Sequence, residues 1–265
     1  KVMKPSTRLR YELRFFDLLA PCYRRLSTAG NLAEGEFLKL LQEVYRVKST
    51  NLEAEVWNGL FTSEALERNF SLSRDPIPLT GNPGFGDSLR ALQQAQRIAD
   101  SITDYRKNQR FALPNGLEDL EQHYSALHNS EYGSQLIKSL ALLSHYLNLT
   151  AGVLEQAIAR RPLCFGQQPS AKAKILKNVF VKYYSAGVQP YMALVQRQGH
   201  DWLAQINELL TPDKLTVPDS VEQYRRHMLA IENKESLWSN YQRAIERHTQ
   251  AWQVVLKQCG LMPGG

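Results

Sequence analysis

Apolar residues recur at the three- and four-residue spacing of an α-helix along nearly the whole chain. No stretch shows the sustained alternation of apolar and polar residues that predicts a half-buried β-strand. Turn residues divide the pattern into helices expected at about 7–29, 32–48, 51–69, 87–111, 117–129, 131–160, from Ser170 to a kink or division at Pro190, 200–210 and 218–259. The sequence therefore predicts an all-α fold, a multi-helix bundle of about eight or nine helices with a long C-terminal helix.

The predicted last helix carries two apolar stripes at heptad-like spacing. The stripes are separated by a phase slip of three residues near Glu235. Their members are Val221, Tyr224, Met228 and Ile231 in the first stripe, and Trp238, Tyr241, Ile245, His248, Trp252, Val255 and Cys259 in the second. We interpret the helix as part of an intramolecular bundle, and the alternative is a seam for another subunit.

The helix that follows Ser170 is expected to bury one face. Its apolar positions predict that Ile175, Leu176, Val179, Phe180 and Tyr183 point inward. Ser170 itself has the side chain that caps a helix N-terminus.

The stretch 71–86 contains three prolines and three glycines, too many for a helix. It is a possible subdomain boundary, although we expect residues 1–265 to form a single helical domain. Its glycines precede a helix, but there is neither a preceding strand nor a GK[ST] motif, and Asp87 would repel an anion. We interpret residues 81–88, where these glycines precede the helix, as a flexible connection.

Charge is segregated along the chain. Residues 1–25 have a net charge of +5 and residues 156–200 have +7, whereas the whole chain has +6, so the remainder carries −6. Either the two basic segments pack beside the acidic stretches 31–69 and 117–131, or they bind an external polyanion.

Binding to nucleic acid would use basic side chains on phosphates together with interleaved aromatic residues. Residues 156–200 contain both kinds. The other external partners that these charges fit are an acidic protein and a membrane surface. The candidate binding residues are Arg8, Arg10, Arg14, Arg160, Arg161, Lys172, Lys174, Lys177 and Lys182.

No spacing in the sequence points to catalysis. The HExxH and Glu-x-x-His patterns of helical metal sites are absent, and His123 and His128 are five residues apart. The G-x-S-x-G elbow of serine hydrolases is also absent. We therefore predict no catalytic residues, no metal ligands and no cofactor.

The three cysteines lie far apart and form no CxxC pair, so neither a zinc site nor a disulfide framework is predicted. A reducing cytosol, and hence a cytoplasmic location, is the expectation. The most apolar helix, around 136–154, is interrupted by polar residues, so we expect no transmembrane segment.

Together these patterns favour a non-catalytic helical interaction or adaptor subunit of a larger assembly, with a protein partner. The first alternative is a nucleic-acid-binding accessory protein that uses segments 1–25 and 156–200. The second is a helical enzyme or small-ligand-binding protein.

Overall fold

The computed structural model describes residues 3–28, 35–211 and 215–262, and every regular element in these ranges is a helix. The α-helices are α1 (Pro5–Thr28), α2 (Glu36–Phe61), α3 (Glu64–Glu67), α4 (Phe85–Asn108), α5 (Leu120–Ser130), α6 (Tyr132–Arg160), α7 (Ala171–Val179), α8 (Gln189–Leu209), α9 (Asp219–Tyr224) and α10 (Leu237–Gln258). A 3₁₀-helix covers Arg68–Phe70, and π-helices cover Phe180–Val188 and Arg225–Leu229. The predicted all-α multi-helix bundle is confirmed. The predicted break between helices 7–29 and 32–48 lies outside the described residues.

The chain divides into two compact units. Unit 1 contains Lys1–Ser71, Asn82–Gly133 and Ala204–Glu222, and unit 2 contains Leu72–Gly81, Ser134–Leu203 and Gln223–Gly265. The proline- and glycine-rich stretch 71–86 thus supplies residues to both units. The expectation of a single domain stays a prediction.

In unit 1, α1 packs closely against α2. Leu9, Leu13 and Phe16 of α1 are buried, and Gly59 of α2 leaves the space that Leu9 occupies. A Cβ atom at Gly59 would lie 2.7 Å from the Leu9 Cβ, which is closer than two non-bonded carbon atoms approach in proteins. The close crossing of the two helices therefore depends on this glycine.

The predicted division between helices 32–48 and 51–69 is wrong, because α2 runs without a break through Ser49, Thr50 and Asn51. These residues disfavour a helix interior by only a few tenths of a kcal/mol each, up to about 0.7. Burial of Leu52 and Val56 on the same helix face outweighs that cost. The chain leaves the α-helix only after Phe61.

The core of unit 2 joins α6 to α10. Ala151 and Leu154 of α6 pack with Ala251, Trp252 and Val255 of α10. The π-helix Phe180–Val188 adds to this core, which is completed by the half-buried side chains of Ile158, Leu163, Leu176, Phe180 and Tyr184.

The predicted helix 218–259 is not continuous. The chain leaves the helix at Ala230 and re-enters it at α10, where the Ser236 Oγ accepts a hydrogen bond from the Ser239 N–H. The phase slip near Glu235 coincides with this interruption, since the first stripe ends at Ile231, in the non-helical segment, and the second begins on α10. The second stripe is buried as predicted, with Trp238, Tyr241, His248 and Trp252 all inside.

The helix after Ser170 begins as predicted, since the Ser170 Oγ accepts a hydrogen bond from the Ala173 N–H at 3.2 Å. Its predicted inward face is wrong in part, because Ile175 and Tyr183 are 64% and 59% exposed. From Phe180 the helix has the wider π-helical turn, which changes the side of the helix on which later residues lie. The predicted separate helix 200–210 is part of α8, which continues directly from the π-helix at Gln189.

Contrary to the sequence-based expectation, Cys164 and Cys259 form a disulfide across 95 residues of sequence. Cys164 lies in the loop between α6 and α7, and Cys259 caps the end of α10. Both are buried beside Ala173. Spacing along the chain carried no signal for this pair because folding, and not sequence proximity, brings the two segments together.

Candidate functional site

The part of the chain that the structure describes shows neither a membrane-spanning helix nor a group of side chains that could bind a metal ion. No helix there combines the length and the apolarity needed to cross a bilayer. No group of three or more His, Cys, Asp or Glu side chains there is close enough to hold a metal ion. The candidates that remain are the basic residues and the cavities of unit 2.

The first basic segment is joined to acidic side chains within unit 1. Arg8 forms an ion pair with Glu55 at 2.5 Å, and Arg14 forms one with Glu118. The hydrogen bond to the Glu55 carboxylate raises the pKa of Arg8. Arg10 is half-buried on the same helix. These pairs connect segment 1–25 to the acidic stretches 31–69 and 117–131, as the internal-pairing alternative expects.

The second basic segment has a different environment, in unit 2. Arg160 is the last residue of α6, and Arg161 lies in the bend that follows it. The lysines lie on α7 and on the π-helix Phe180–Val188. No carboxylate of the described residues forms an ion pair with any of these exposed side chains, namely Arg160, Arg161, Lys172, Lys174, Lys177 and Lys182. The Lys182 ammonium lies 5.4 Å from the centre of the Tyr183 ring. Nucleic-acid binding stays a prediction, and it now depends mainly on this second set.

Unit 2 contains an apolar pocket with a volume of about 600 Å³. Its walls come from the loop before Gly81, from α6, from the π-helix and from α10. Its mainly apolar and aromatic lining includes Ile77, Pro78, Leu79, Leu142, Leu143, Leu147, Tyr183, Tyr184, Val188, His248 and Trp252. Volume and composition both fall in the range of small-molecule sites, which are about 300–1,000 Å³ and mainly apolar.

One wall of the pocket is a contact group of His248, Trp252 and Tyr184. The indole Nε1–H of Trp252 donates a hydrogen bond to the Nε2 of His248 at 3.1 Å. The Tyr184 ring centre lies 4.7 Å from that of His248. The helix spacing of four residues between His248 and Trp252 puts both on the same face of α10.

His248 is only 3% exposed, and its Nδ1 has no hydrogen-bond partner. Burial disfavours the charged imidazolium and lowers the pKa of His248 to about 4. At neutral pH the imidazole is therefore uncharged. The His248 side chain lines the pocket, but its unpartnered Nδ1 is itself buried.

A second wall of the pocket is held by hydrogen bonds. The Ile77 N–H donates to the Ser139 Oγ at 2.9 Å, and the Tyr191 hydroxyl donates to the Ile77 carbonyl at 2.9 Å. Burial raises the pKa of Tyr191. The loop before Gly81 is thus fixed to α6 and α8.

The pocket is poor in charge. Among the described residues that line it, Asp75 is the one ionisable carboxylate, and neither a lysine nor an arginine occurs. Asp75 is exposed. An anionic ligand would therefore enter an apolar site without a countercharge, which is energetically costly.

Sequence reasoning missed this pocket. The pattern assigned Val179 and Tyr183 to a helix core, but both line the pocket and are exposed. The available signal was His248, a titratable residue within an otherwise apolar stripe that faces inward.

Comparison with known proteins adds the family of the chain. No curated protein and no solved structure matches it. A family model described as "Protein of unknown function (DUF3080)" matches residues 1–263, which is nearly the whole chain. The chain therefore belongs to the DUF3080 family.

Proposed function

We propose that the protein is a helical ligand-binding protein that holds a small, uncharged and mainly apolar molecule in the pocket of unit 2. The observation that supports this function is the lining of the pocket, in which leucines and aromatic rings surround a few uncharged polar groups. Such a lining binds by burying apolar surface, worth about 25 cal/mol per Å². The small-ligand alternative of the sequence analysis thus becomes the leading proposal.

Binding is proposed in preference to catalysis because the His248 imidazole is poorly suited to act as a general base. A general base needs a free ring nitrogen that can accept a proton near neutral pH. The Nε2 of His248 already accepts the indole N–H of Trp252, and burial holds the pKa of His248 near 4.

The disulfide supports an oxidising compartment in place of the expected cytoplasm. Disulfides persist in secreted and periplasmic proteins and are rare in a reducing cytosol. The buried pair Cys164 and Cys259 joins two distant segments of unit 2. We propose that the protein matures where such a bond can form.

Filling the pocket tests the proposed function. The uncharged fluorophore N-phenyl-1-naphthylamine should bind the wild type and gain fluorescence, because its emission rises in apolar surroundings. Leu143→Trp adds an indole inside the pocket, and we expect affinity to fall at least about tenfold, equivalent to about 1.4 kcal/mol. The measurement is a fluorescence titration.

The matched control is Val153→Trp, on the same helix. Val153 is 61% exposed and does not line the pocket. This variant should bind the fluorophore as the wild type does. Absence of binding to the wild type, or equal weakening by both substitutions, would contradict the proposal.

A protein partner is the second candidate, and it retains the adaptor function that the sequence favours. The first half of α2 exposes Phe37 (67%), Leu40 (63%) and Val47 (39%) at helical spacing. An amphipathic helix of another protein fits such a stripe, since anchors at these intervals face one groove.

A photo-cross-linking residue tests this second candidate. Placed at Leu40, it should give one discrete adduct, and that adduct should disappear when Phe37→Ser is added. Placed at Gln42, which is exposed on the opposite side of α2, it should give none. Equal adducts at both positions would exclude a partner helix specific to this stripe.

A further inference from the structure

We propose that the outward side of α7 and of the following π-helix in unit 2 docks on the surface of an anionic phospholipid bilayer. The inference goes beyond the proposed function and does not depend on it. Its basis is the combination of exposed aliphatic side chains and unpaired basic side chains on one short stretch of helix.

The outward side of this stretch carries large apolar side chains that are in contact with solvent. Ile175 is 64% exposed, Val181 is 52% exposed and Tyr183 is 59% exposed. The inward side is formed by Leu176 and Phe180, which are four residues apart and pack on the core of unit 2. Exposed apolar side chains that are grouped together and surrounded by polar ones mark interaction surfaces.

The polar residues around these side chains are basic. Lys174 and Lys177 on α7 and Lys182 on the π-helix are all exposed. Residues 156–200 contain neither an aspartate nor a glutamate. Within the described ranges, no carboxylate from elsewhere in the chain forms an ion pair with these lysines. The surface is therefore cationic without an internal countercharge, and it fits an anionic partner.

The loop before α7 extends the same surface. Arg161, Phe165 and Lys172 line one cleft, which has a volume of about 730 Å³. Phe165 is 71% exposed. The neighbouring disulfide between Cys164 and Cys259 fixes this loop to the end of α10. An aromatic ring and two cations are thus held together beside the first turn of α7.

The aliphatic side chains favour a bilayer over a nucleic acid. A nucleic acid is bound by basic side chains on its phosphates and by aromatic rings on its bases. Ile175 and Val181 serve neither contact. At a membrane interface, aliphatic side chains enter the acyl boundary, tyrosines lie at the level of the headgroups and lysines attract anionic lipids. All three kinds of side chain on this surface therefore have a role at a bilayer.

Sedimentation with lipid vesicles tests the proposal. The wild type should bind vesicles of equal parts phosphatidylglycerol and phosphatidylcholine at least about tenfold more tightly than vesicles of phosphatidylcholine alone, since each basic residue near an anionic surface strengthens binding about fivefold. Binding should weaken when the salt concentration rises from about 0.1 M to about 1 M, because the screening length falls from about 10 Å to about 3 Å.

Two double variants separate the contributions of charge and apolar surface. Lys174→Gln with Lys182→Gln removes two cations, and we expect affinity for the anionic vesicles to fall at least about tenfold. Ile175→Gln with Val181→Gln removes two aliphatic side chains and leaves the charge unchanged. We expect it to weaken binding to the same vesicles by about tenfold, because less apolar surface is removed from water.

Matched controls make the same kinds of change in unit 1. Lys39 and Lys107 are exposed on α2 and α4, and Leu18 of α1 is 73% exposed. Lys39→Gln with Lys107→Gln, and separately Leu18→Gln, should bind the vesicles as the wild type does. Circular dichroism establishes that each variant is folded, and the comparison of anionic with neutral vesicles needs the wild type alone.

Several outcomes would overturn the inference. They are no binding of the wild type to anionic vesicles, equal binding to neutral vesicles, and equal weakening by the unit 1 controls. Loss of binding in the lysine variant alone would exclude the bilayer as partner, and a single-stranded DNA oligonucleotide bound with that same dependence would assign the surface to nucleic acid.

The test is separate from that of the proposed function. Lys174, Lys182, Ile175 and Val181 do not line the apolar pocket. Both double variants should therefore bind N-phenyl-1-naphthylamine as the wild type does. Failure of vesicle binding overturns the docking surface and leaves the pocket, whereas failure of fluorophore binding by the wild type overturns the pocket and leaves the docking surface.

Discussion

Replacing Cys164 and Cys259 together by alanine is expected to lower the free energy of unfolding by about 4 kcal/mol. The disulfide closes a segment with a sequence separation of 95 residues, and a cross-link over such a length strongly restricts the unfolded chain. The buried contacts with Ala173 survive in the folded variant. The effect therefore comes mainly from the greater freedom of the unfolded state. Urea unfolding followed by circular dichroism measures it.

Cys22→Ala is the matched control, because Cys22 is a half-buried free thiol. We expect it to change the urea midpoint much less than the double variant does. Adding a reductant should bring the wild type to the midpoint of the double variant and leave the double variant unchanged. If the double variant and Cys22→Ala unfold at the same urea concentration, the disulfide does not stabilise the fold, and the proposal of an oxidising compartment loses its support.

The helices were predictable because their signal is local. An amphipathic helix repeats apolar residues every three or four positions, and α6 from Tyr132 to Arg160 was expected within one residue of its observed start. Ser170 and Gly260 likewise mark a helix start and a helix end by their local chemistry. The predicted break near Asn51 failed because tertiary burial outweighs weak helix propensity.

The candidate site was not predictable in the same way, because it depends on what remains empty between helices. The sequence places His248 and Trp252 on one face of α10. It does not contain the distance from that face to Leu143 of α6 or to the π-helix. The switch from an α-helical to a π-helical turn at Phe180 also leaves no simple periodic signal, and Tyr184, which lines the pocket, lies on this π-helix.

The environment of the basic residues also could not be predicted from the sequence. Segment 1–25 was expected either to pair internally or to bind a polyanion, and composition alone does not distinguish these two possibilities. In the structure Arg8 and Arg14 each form an ion pair with a carboxylate. Among the described residues, no carboxylate forms an ion pair with Lys174 or Lys177. The difference arises because α1 packs beside acidic residues of unit 1, which is a property of the fold.

The stability of the protein is expected to fall by about 2 kcal/mol between pH 7 and pH 5 through His248. Burial lowers the pKa of His248 in the folded protein from 6.5 to about 4. Below pH 6.5 the unfolded chain therefore binds a proton at this residue that the folded chain does not. Each pH unit in that window costs up to about 1.4 kcal/mol. The loss levels off below about pH 4, where His248 is protonated in both states.

The window from pH 7 to pH 5 separates His248 from most carboxylates. Lowered pKa values, such as those of Glu43 and Glu155, affect stability only at pH values below about 5. His123 contributes in the same direction as His248, since burial also lowers its pKa. A variant at His248 is therefore needed to isolate the effect of this residue.

His248→Gln is that variant, because its amide oxygen can still accept from the Trp252 indole and does not titrate. Urea unfolding of the wild type and of the variant at pH 7, 6 and 5 gives the difference in slope. We expect the wild type to lose about 2 kcal/mol more than His248→Gln over this range. Parallel slopes would mean that burial does not lower the pKa of His248 in the folded protein.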